Sequence, residues 1–105
     1  MKKHYKVVWQ DNAKASLRSI YNFIKKHESY EQAKSLRARL KEEGDSLVFI
    51  PHKYTKEPVL EFSQRDIRFK VIWSYKLVYE VTNEHVVILD IIHTSRDPQL
   101  LKSVK

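Results

Sequence analysis

Five side chains in the second half of the sequence have types and spacing that could do chemistry: Arg68, Lys70, Lys76, His93 and Arg96. Together they would suit metal-independent cleavage of an RNA phosphodiester. That reaction needs a base for the 2′-hydroxyl proton, an acid for the leaving oxygen and cations for the charge that builds on the phosphate. His93 is the natural acid or base, because imidazole titrates near neutrality. Arg68, Lys76 and Arg96 would be the catalytic cations beside it. Arg68 and Lys70 are two apart on a strand-like run and so share a face. Lys76 follows one tight turn later and is expected to neighbour them. Each residue also has a plainer reading. His93 has the strand parity of Val87, Leu89 and Ile91, so it reads equally as a core-edge histidine bonded to backbone. Arg68, Lys70 and Lys76 read equally as a solvated sheet face. Arg96 beside Asp97 reads as a local ion pair of little energy. Asp90, inside an apolar run, needs a partner, for which a sheet lysine or arginine is the candidate.

Other chemistries find no residues. There is no cysteine, and so no thiolate nucleophile, disulfide or sulfur-based zinc site. His4, His27, His52, His85 and His93 are too scattered to form a helical metal pair. The single glycine, Gly44, excludes a phosphate-cradling loop, and no serine sits in a nucleophile elbow. No cofactor is implied. Trp9 and Trp73 could stack on bases, but on alternating strands they read first as core.

The elements that must position these residues follow from periodicity. Lys3 to Trp9 alternates as an opening strand, with Tyr5, Val7 and Trp9 on one face. Ala13, Leu17, Ile20, Ile24 and His27 then form one face of a helix, which Asp11 or Asn12 can cap. Ser29-Tyr30-Glu31-Gln32 is a capping box for a second helix, with stripe Ala33, Leu36, Leu40 and Leu47. Gly44 falls on that stripe, where it either permits close approach or ends the helix. So short a connection makes the pair an antiparallel hairpin. Strands are expected at Val59–Phe62, from Ile67 to Trp73, from Tyr75 to Val81 and from Val86 to Ile92. Ser74 breaks the second from the third, and Asn83-Glu84 turns the third into the fourth. The expected fold is α+β: an N-terminal strand and an antiparallel helical hairpin packed on a curved, mainly antiparallel sheet of about four to five strands.

With 105 residues and 42% apolar content, the chain reads as one domain, 1–105, with one core. Met1-Lys2-Lys3-His4-Tyr5 has the charge of a signal-peptide start, but Gln10, Asp11 and Asn12 interrupt before any apolar region forms. No apolar run, Val86 to Leu89 included, is long enough to span a bilayer. The reading is a cytoplasmic protein with no membrane partner. A net charge of +7 suits a polyanionic or acidic partner.

This layout resembles the RelE/ParE superfamily of bacterial toxins. Three stretches carry the likeness: Ala13, Leu17, Ile20, Tyr21 and Ile24 on the first helix; Asp66-Ile67-Arg68-Phe69-Lys70 with Ser74-Tyr75-Lys76-Leu77-Val78-Tyr79; and the ending Val87-Ile88-Leu89-Asp90-Ile91-Ile92-His93-Thr94-Ser95-Arg96-Asp97-Pro98. Lys76 stands where the family usually has arginine. The resemblance implies the toxin half of a type II toxin–antitoxin system, with a cognate antitoxin as partner and one of two targets. RelE-like members are endoribonucleases that cut messenger RNA in the ribosomal A site, and would use His93, Arg96, Arg68 and Lys76. ParE-like members inhibit DNA gyrase and cleave nothing. RelE-like enzymes generally carry a tyrosine or second reactive side chain soon after the terminal arginine. Gln99-Leu100-Leu101-Lys102-Ser103 has none, which points to the ParE-like branch. Target or nucleic-acid contacts would then fall to Arg68, Lys70, Lys76, Arg96 and Lys102. The antitoxin is expected in the groove between hairpin and sheet and at the sheet's exposed edge. A non-toxic, nucleic-acid-binding relative would also suit the basic composition.

Overall fold

A computed structural model describes residues 5–56 and 65–96. Its elements are β1 (Lys6–Trp9), α1 (Asp11–His27), α2 (Tyr30–Asp45), a 3-10 turn (Ser46–Val48), β2 (Asp66–Ile72), β3 (Tyr75–Val81), β4 (His85–His93) and a closing 3-10 turn (Thr94–Arg96). The strands form one sheet in the order β1-β4-β3-β2. β1 runs parallel to β4, and the other pairs are antiparallel. The expected strand Val59–Phe62 lies outside the described residues, as does Lys3 of the opening strand. None of the described helices is long and apolar enough to cross a membrane.

The hairpin of helices forms where the sequence places it. Ala13 and Ile24 of α1, and Ala33, Leu36 and Leu40 of α2, are buried, with Leu17, Ile20 and Tyr21 partly so. His27 leaves the stripe and stacks on exposed Phe23, ring centroids 4.4 Å apart. Ser29 caps α2 as expected, its Oγ accepting from the Gln32 N–H at 3.0 Å. The N-cap of α1, however, is Gln10, which makes no side-chain cap bond. Asp11 is already helical, where its charge favours the positive helix end.

The core lies between the hairpin and one sheet face. Tyr75, Leu77 and Tyr79 of β3 and Val86, Ile88 and Ile91 of β4 line it. Ile88 and Ile91 are three residues apart, yet both are core. Simple alternation would put them on opposite faces. A register shift reconciles them: Tyr79 pairs with Ile88 and Val78 with Asp90, so Leu89 is the extra residue of a bulge. The bulge also overturns the expected parity of His93. It shares a face with Ile88 and Ile91, not with Val87 and Leu89. Among the described residues, Asp90 beside the bulge is partnered by neither lysine nor arginine. It accepts from Ser16 Oγ on α1 at 2.5 Å and from the Ile91 N–H at 2.8 Å.

Gly44 is buried in the last turn of α2, and close approach is its role. The neighbour is the Trp9 ring of β1 rather than another helix. A Cβ on Gly44 would overlap that indole, with Trp9 Cη2 at 2.9 Å. The helix ends one residue later, at Asp45, which accepts from Trp9 Nε1 at 2.9 Å. Gly44→Ala forces this contact apart. It is expected to destabilise the fold by about 1–3 kcal/mol, the usual range for overpacking, although alanine is the better helix former. Urea denaturation of the two proteins measures it, and a gain in stability would contradict the account.

Candidate functional site

The two cations of β2 sit on the helix-facing side, because Arg68 pairs with Tyr79 and Lys70 with Leu77. Both are engaged. Arg68 donates from Nε to Asp66 Oδ1 at 2.9 Å, and from one terminal nitrogen to the carbonyls of His52 and Tyr54 at 3.0 and 2.8 Å. The Phe69 N–H donates to Thr55 O and Tyr79 Oη to Pro51 O, at 3.0 and 2.7 Å. Arg68 is therefore part of a set of bonds that holds residues 51–56 along the outer edge of β2. Burial pushes the Tyr79 phenol well above its ordinary range. Lys70 is ion-paired with Glu43 of α2 and lies over the Tyr54 ring at 4.6 Å. Burial alone would lower the Lys70 pKa, but hydrogen bonds with Glu43 and Tyr54 outweigh it and raise the value above 10.5. The hydrogen bond from Lys70 is the main reason the Glu43 carboxyl titrates below 4.5, and Arg39 adds to it.

Lys76 does not join them. It pairs with Val71 and Ile92, so its side chain leaves the opposite sheet face. There it is buried, 2% exposed, with Nζ 4.3 Å from the Phe69 ring centroid. The reason is parity: across the Ile72–Tyr75 turn, Lys76 faces Val71, not Lys70.

His93 sits elsewhere again, opposite Tyr75 at the end of β4. Strand rise and spacing put it about 16 Å from Arg68, backbone to backbone. Its ring meets Tyr75 edge-on at 5.2 Å. Nδ1 lies 2.7 Å from Ser95 Oγ and accepts from the Ser95 N–H at 3.1 Å. A backbone N–H can only donate, so Nδ1 is the acceptor in this contact. The Thr94 N–H bonds Ser74 O at 2.8 Å and brings this end of β4 against the β2–β3 turn. An open groove results, lined among others by Phe23, Gln32, Trp73, Tyr75 and His93. Arg96 ends the closing 3-10 turn. Its side chain, and Lys102, lie outside the described residues. Among the described residues no group of three or more histidines, cysteines and carboxylates could hold a metal.

Trp73 departs from its expected core position. It stands at the tip of the β2–β3 turn, 60% exposed, with φ 54°. Such a left-handed conformation costs a bulky residue about 1–2 kcal/mol. The Arg39 guanidinium lies 6.0 Å from its ring.

The groove that the resemblance implies between hairpin and sheet is present, with a volume of about 540 Å³, between β1 and the two helices, and its lining residues were not named from the sequence. Its floor is Val7, Trp9, Leu17 and Tyr21, and its rim carries Lys14, Arg18, Arg37 and Lys41. Lys14 and Arg18 flank Leu17 at helical spacing, a signal available in the sequence. The contribution of α2 depends on how the two helices pack, which the sequence does not state.

The comparisons come to bear on this architecture. The family described as the ParE toxin of type II toxin–antitoxin systems, parDE, matches residues 7–98. The chain belongs to the ParE toxin family. A search of curated proteins gave no significant match. Among solved structures, this ParE-family chain is similar to one from the chromosomal ParDE toxin–antitoxin system of P. aeruginosa. The two share 19% identity and a TM-score of 0.70, over 86% of this chain and 96% of that one. It is similar also to a chain of the RelBE2 toxin–antitoxin complex of Mycobacterium tuberculosis, at 19% identity and TM-score 0.64, over 89% and 94%. At such identity these likenesses describe the fold: two helices on a four-stranded sheet.

One outcome tests the ion-pair geometry and another the strain of the turn. The folded-state pKa of Glu43 is depressed, so its contribution to stability is present above about pH 4.5 and fades as pH falls through the folded value. The raised Lys70 contributes below about 10.5 and fades as pH rises through its folded value. Glu43→Gln should flatten the acid limb of a stability–pH curve relative to the parent chain; an unchanged limb would refute the pairing. Trp73→Gly relieves the turn and should raise the denaturation free energy by about 1 kcal/mol.

Proposed function

We propose that this ParE-family toxin arrests growth by binding DNA gyrase, cleaves nothing itself, and is held inactive in the cytoplasm by a cognate antitoxin. The observation that carries the reading is the dispersal of the candidate catalytic groups that the structure describes, Arg68, Lys76 and His93. A metal-independent ribonuclease needs its acid, base and phosphate-binding cations within hydrogen-bond reach of one scissile bond. Here Arg68 secures a loop, Lys70 is paired with Glu43, and Lys76 is buried on the other face from His93. Releasing Arg68 or Lys70 for catalysis would strip Asp66 or Glu43 of a charged partner. Among the described residues the hydrogen-bonding partner of His93 is Ser95, a neutral group, and no carboxylate orients it as a base. The ending after Arg96, without an aromatic or histidine, supports the same reading. The antitoxin partner is supported by the family and by the toxin–antitoxin complexes whose chains share the fold.

The test pairs two assays on purified protein, with growth arrest on expression as the entry condition. Inhibition of gyrase supercoiling, with no cuts in messenger RNA on programmed ribosomes, is the expected result. Growth arrest should persist in His93→Ala, within about threefold of the parent dose, because no proton transfer by His93 is required. Discrete A-site cuts lost in His93→Ala and Arg96→Ala would replace this reading with the RelE-like endoribonuclease. Nucleic-acid binding without growth arrest would indicate a non-toxic relative.

A further inference from the structure

The two helices carry stripes of one spacing. Lys14, Arg18, Tyr21 and Lys25 step by four, three and four along α1, and Tyr30, Lys34, Arg37 and Lys41 repeat those steps along α2. Steps of three and four keep residues on one side of a helix. Each stripe stands one residue on from the buried positions of its helix, such as Ala13 and Ile24 in α1 and Ala33, Leu36 and Leu40 in α2, and so borders the core. Contacts across the hairpin show that the stripes face each other. The Arg37 guanidinium lies 4.3 Å from the Tyr21 ring centroid, and Lys25 Nζ lies 6.0 Å from that of Tyr30.

The seam between the stripes is a strip of exposed positive charge. Carboxylates in the same register, Asp11, Glu28 and Asp45, stand beyond the stripe ends, where Asp45 takes up Lys41 at 2.8 Å. The other five cations make no ion pair among the described residues. Three of them are braced on rings. Besides the two contacts across the hairpin, Lys25 Nζ lies 6.0 Å from the Tyr21 centroid and Lys34 Nζ 5.9 Å from that of Tyr30. A cation held over a ring loses less freedom when an anion arrives. Like charges gathered in this way repel one another, and a polyanion relieves the repulsion. Each stripe runs about 16 Å at the rise of an α-helix. The same length of duplex DNA carries about five phosphates on each strand.

We propose that the α1–α2 seam binds the phosphate backbone of duplex DNA, whatever its sequence. The rings decide for a duplex over a single strand. A site for single strands offers free aromatic faces to unstacked bases. Here cations already cover Tyr21 and Tyr30. A duplex keeps its bases stacked inside and presents phosphates, which is what a strip of cations can hold. Such contacts position a backbone and read no base. The seam is separate from Arg68, Lys70 and Lys76 of the sheet, which are paired or buried. The proposal does not depend on the target of the toxin.

The probe is a labelled duplex of random sequence, added to the full-length protein at about 50 and about 200 mM salt and followed by fluorescence anisotropy. Five phosphate contacts give a slope of about −4.5 for log K against log salt, so binding should be about five-hundredfold tighter at the lower salt. Arg18→Gln with Arg37→Gln removes two contacts and should leave about fortyfold. Lys53→Gln with Lys56→Gln, beside β2, loses the same charge and should keep the salt response of the parent chain. All four sites are exposed, so both variants are expected to fold, and circular dichroism checks it. A single strand of the same sequence should bind at least about fivefold more weakly than the duplex. A seam variant with the parent's salt response, an equal loss in the Lys53 and Lys56 variant, or a single strand bound as tightly as the duplex would each overturn the proposal. Capture of polyglutamate but not of the duplex would assign the seam to an acidic protein and overturn it too. No gyrase is present in this assay, so its failure leaves the gyrase reading standing.

Discussion

The last turn of α2 is the joint on which the structure depends. Three consecutive residues there reach both edges of the described sheet. Glu43 pairs with Lys70 of β2. Gly44 lets the Trp9 ring of β1 lie against the helix backbone, and Asp45 accepts from the same indole. A helix laid across a sheet is fixed in translation by its apolar face but can still pivot. Contacts to both outer strands remove the pivot. They also explain how the one glycine sits inside a helix despite its poor propensity. The close approach it permits is unavailable to any residue with a Cβ.

The second constraint is the Leu89 bulge in β4. That strand lies inside the sheet, between β1 and β3, so its side chains determine much of what each face presents. One extra residue keeps both Ile88 and Ile91 in the core and brings His93 onto the hairpin side with Tyr75. The tight β2–β3 turn acts in the other direction, sending Lys76 away from Lys70. The turn thus sets Lys76 on the face opposite Arg68, Lys70 and His93, and His93, although it shares the face of the β2 cations, stands apart from them along the sheet. The cations of β2 are structural. Arg68 fastens the segment from 51 to 56, and Lys70 fastens a helix.

What is left for recognition lies at the margins of the fold. One groove opens where the end of β4 meets the β2–β3 turn, with exposed Trp73 held in a left-handed backbone conformation. The other runs beneath the helices beside the free edge of β1. Among the described residues, neither groove draws acid, base and free cations to one point, and both offer aromatic or aliphatic surface beside charge.

The sequence by itself determined the order of elements, the helical hairpin, the Ser29 cap and the α+β class. These follow from local periodicity and capping, which act over a few residues. The family resemblance was carried in the same way, by residues in order along the chain. It also placed Arg68 and Lys70 correctly on one face, because they lie within one regular strand. It misplaced Lys76, His93 and Trp73. Their positions depend on a turn and a bulge, each adding or removing a residue from the alternation, and a single such shift reverses every face beyond it. The residues that line the groove beside β1 were not legible for a related reason. Its walls come from a strand and two helices far apart in sequence, and only their packing sets the cations of α1 and α2 around one apolar floor.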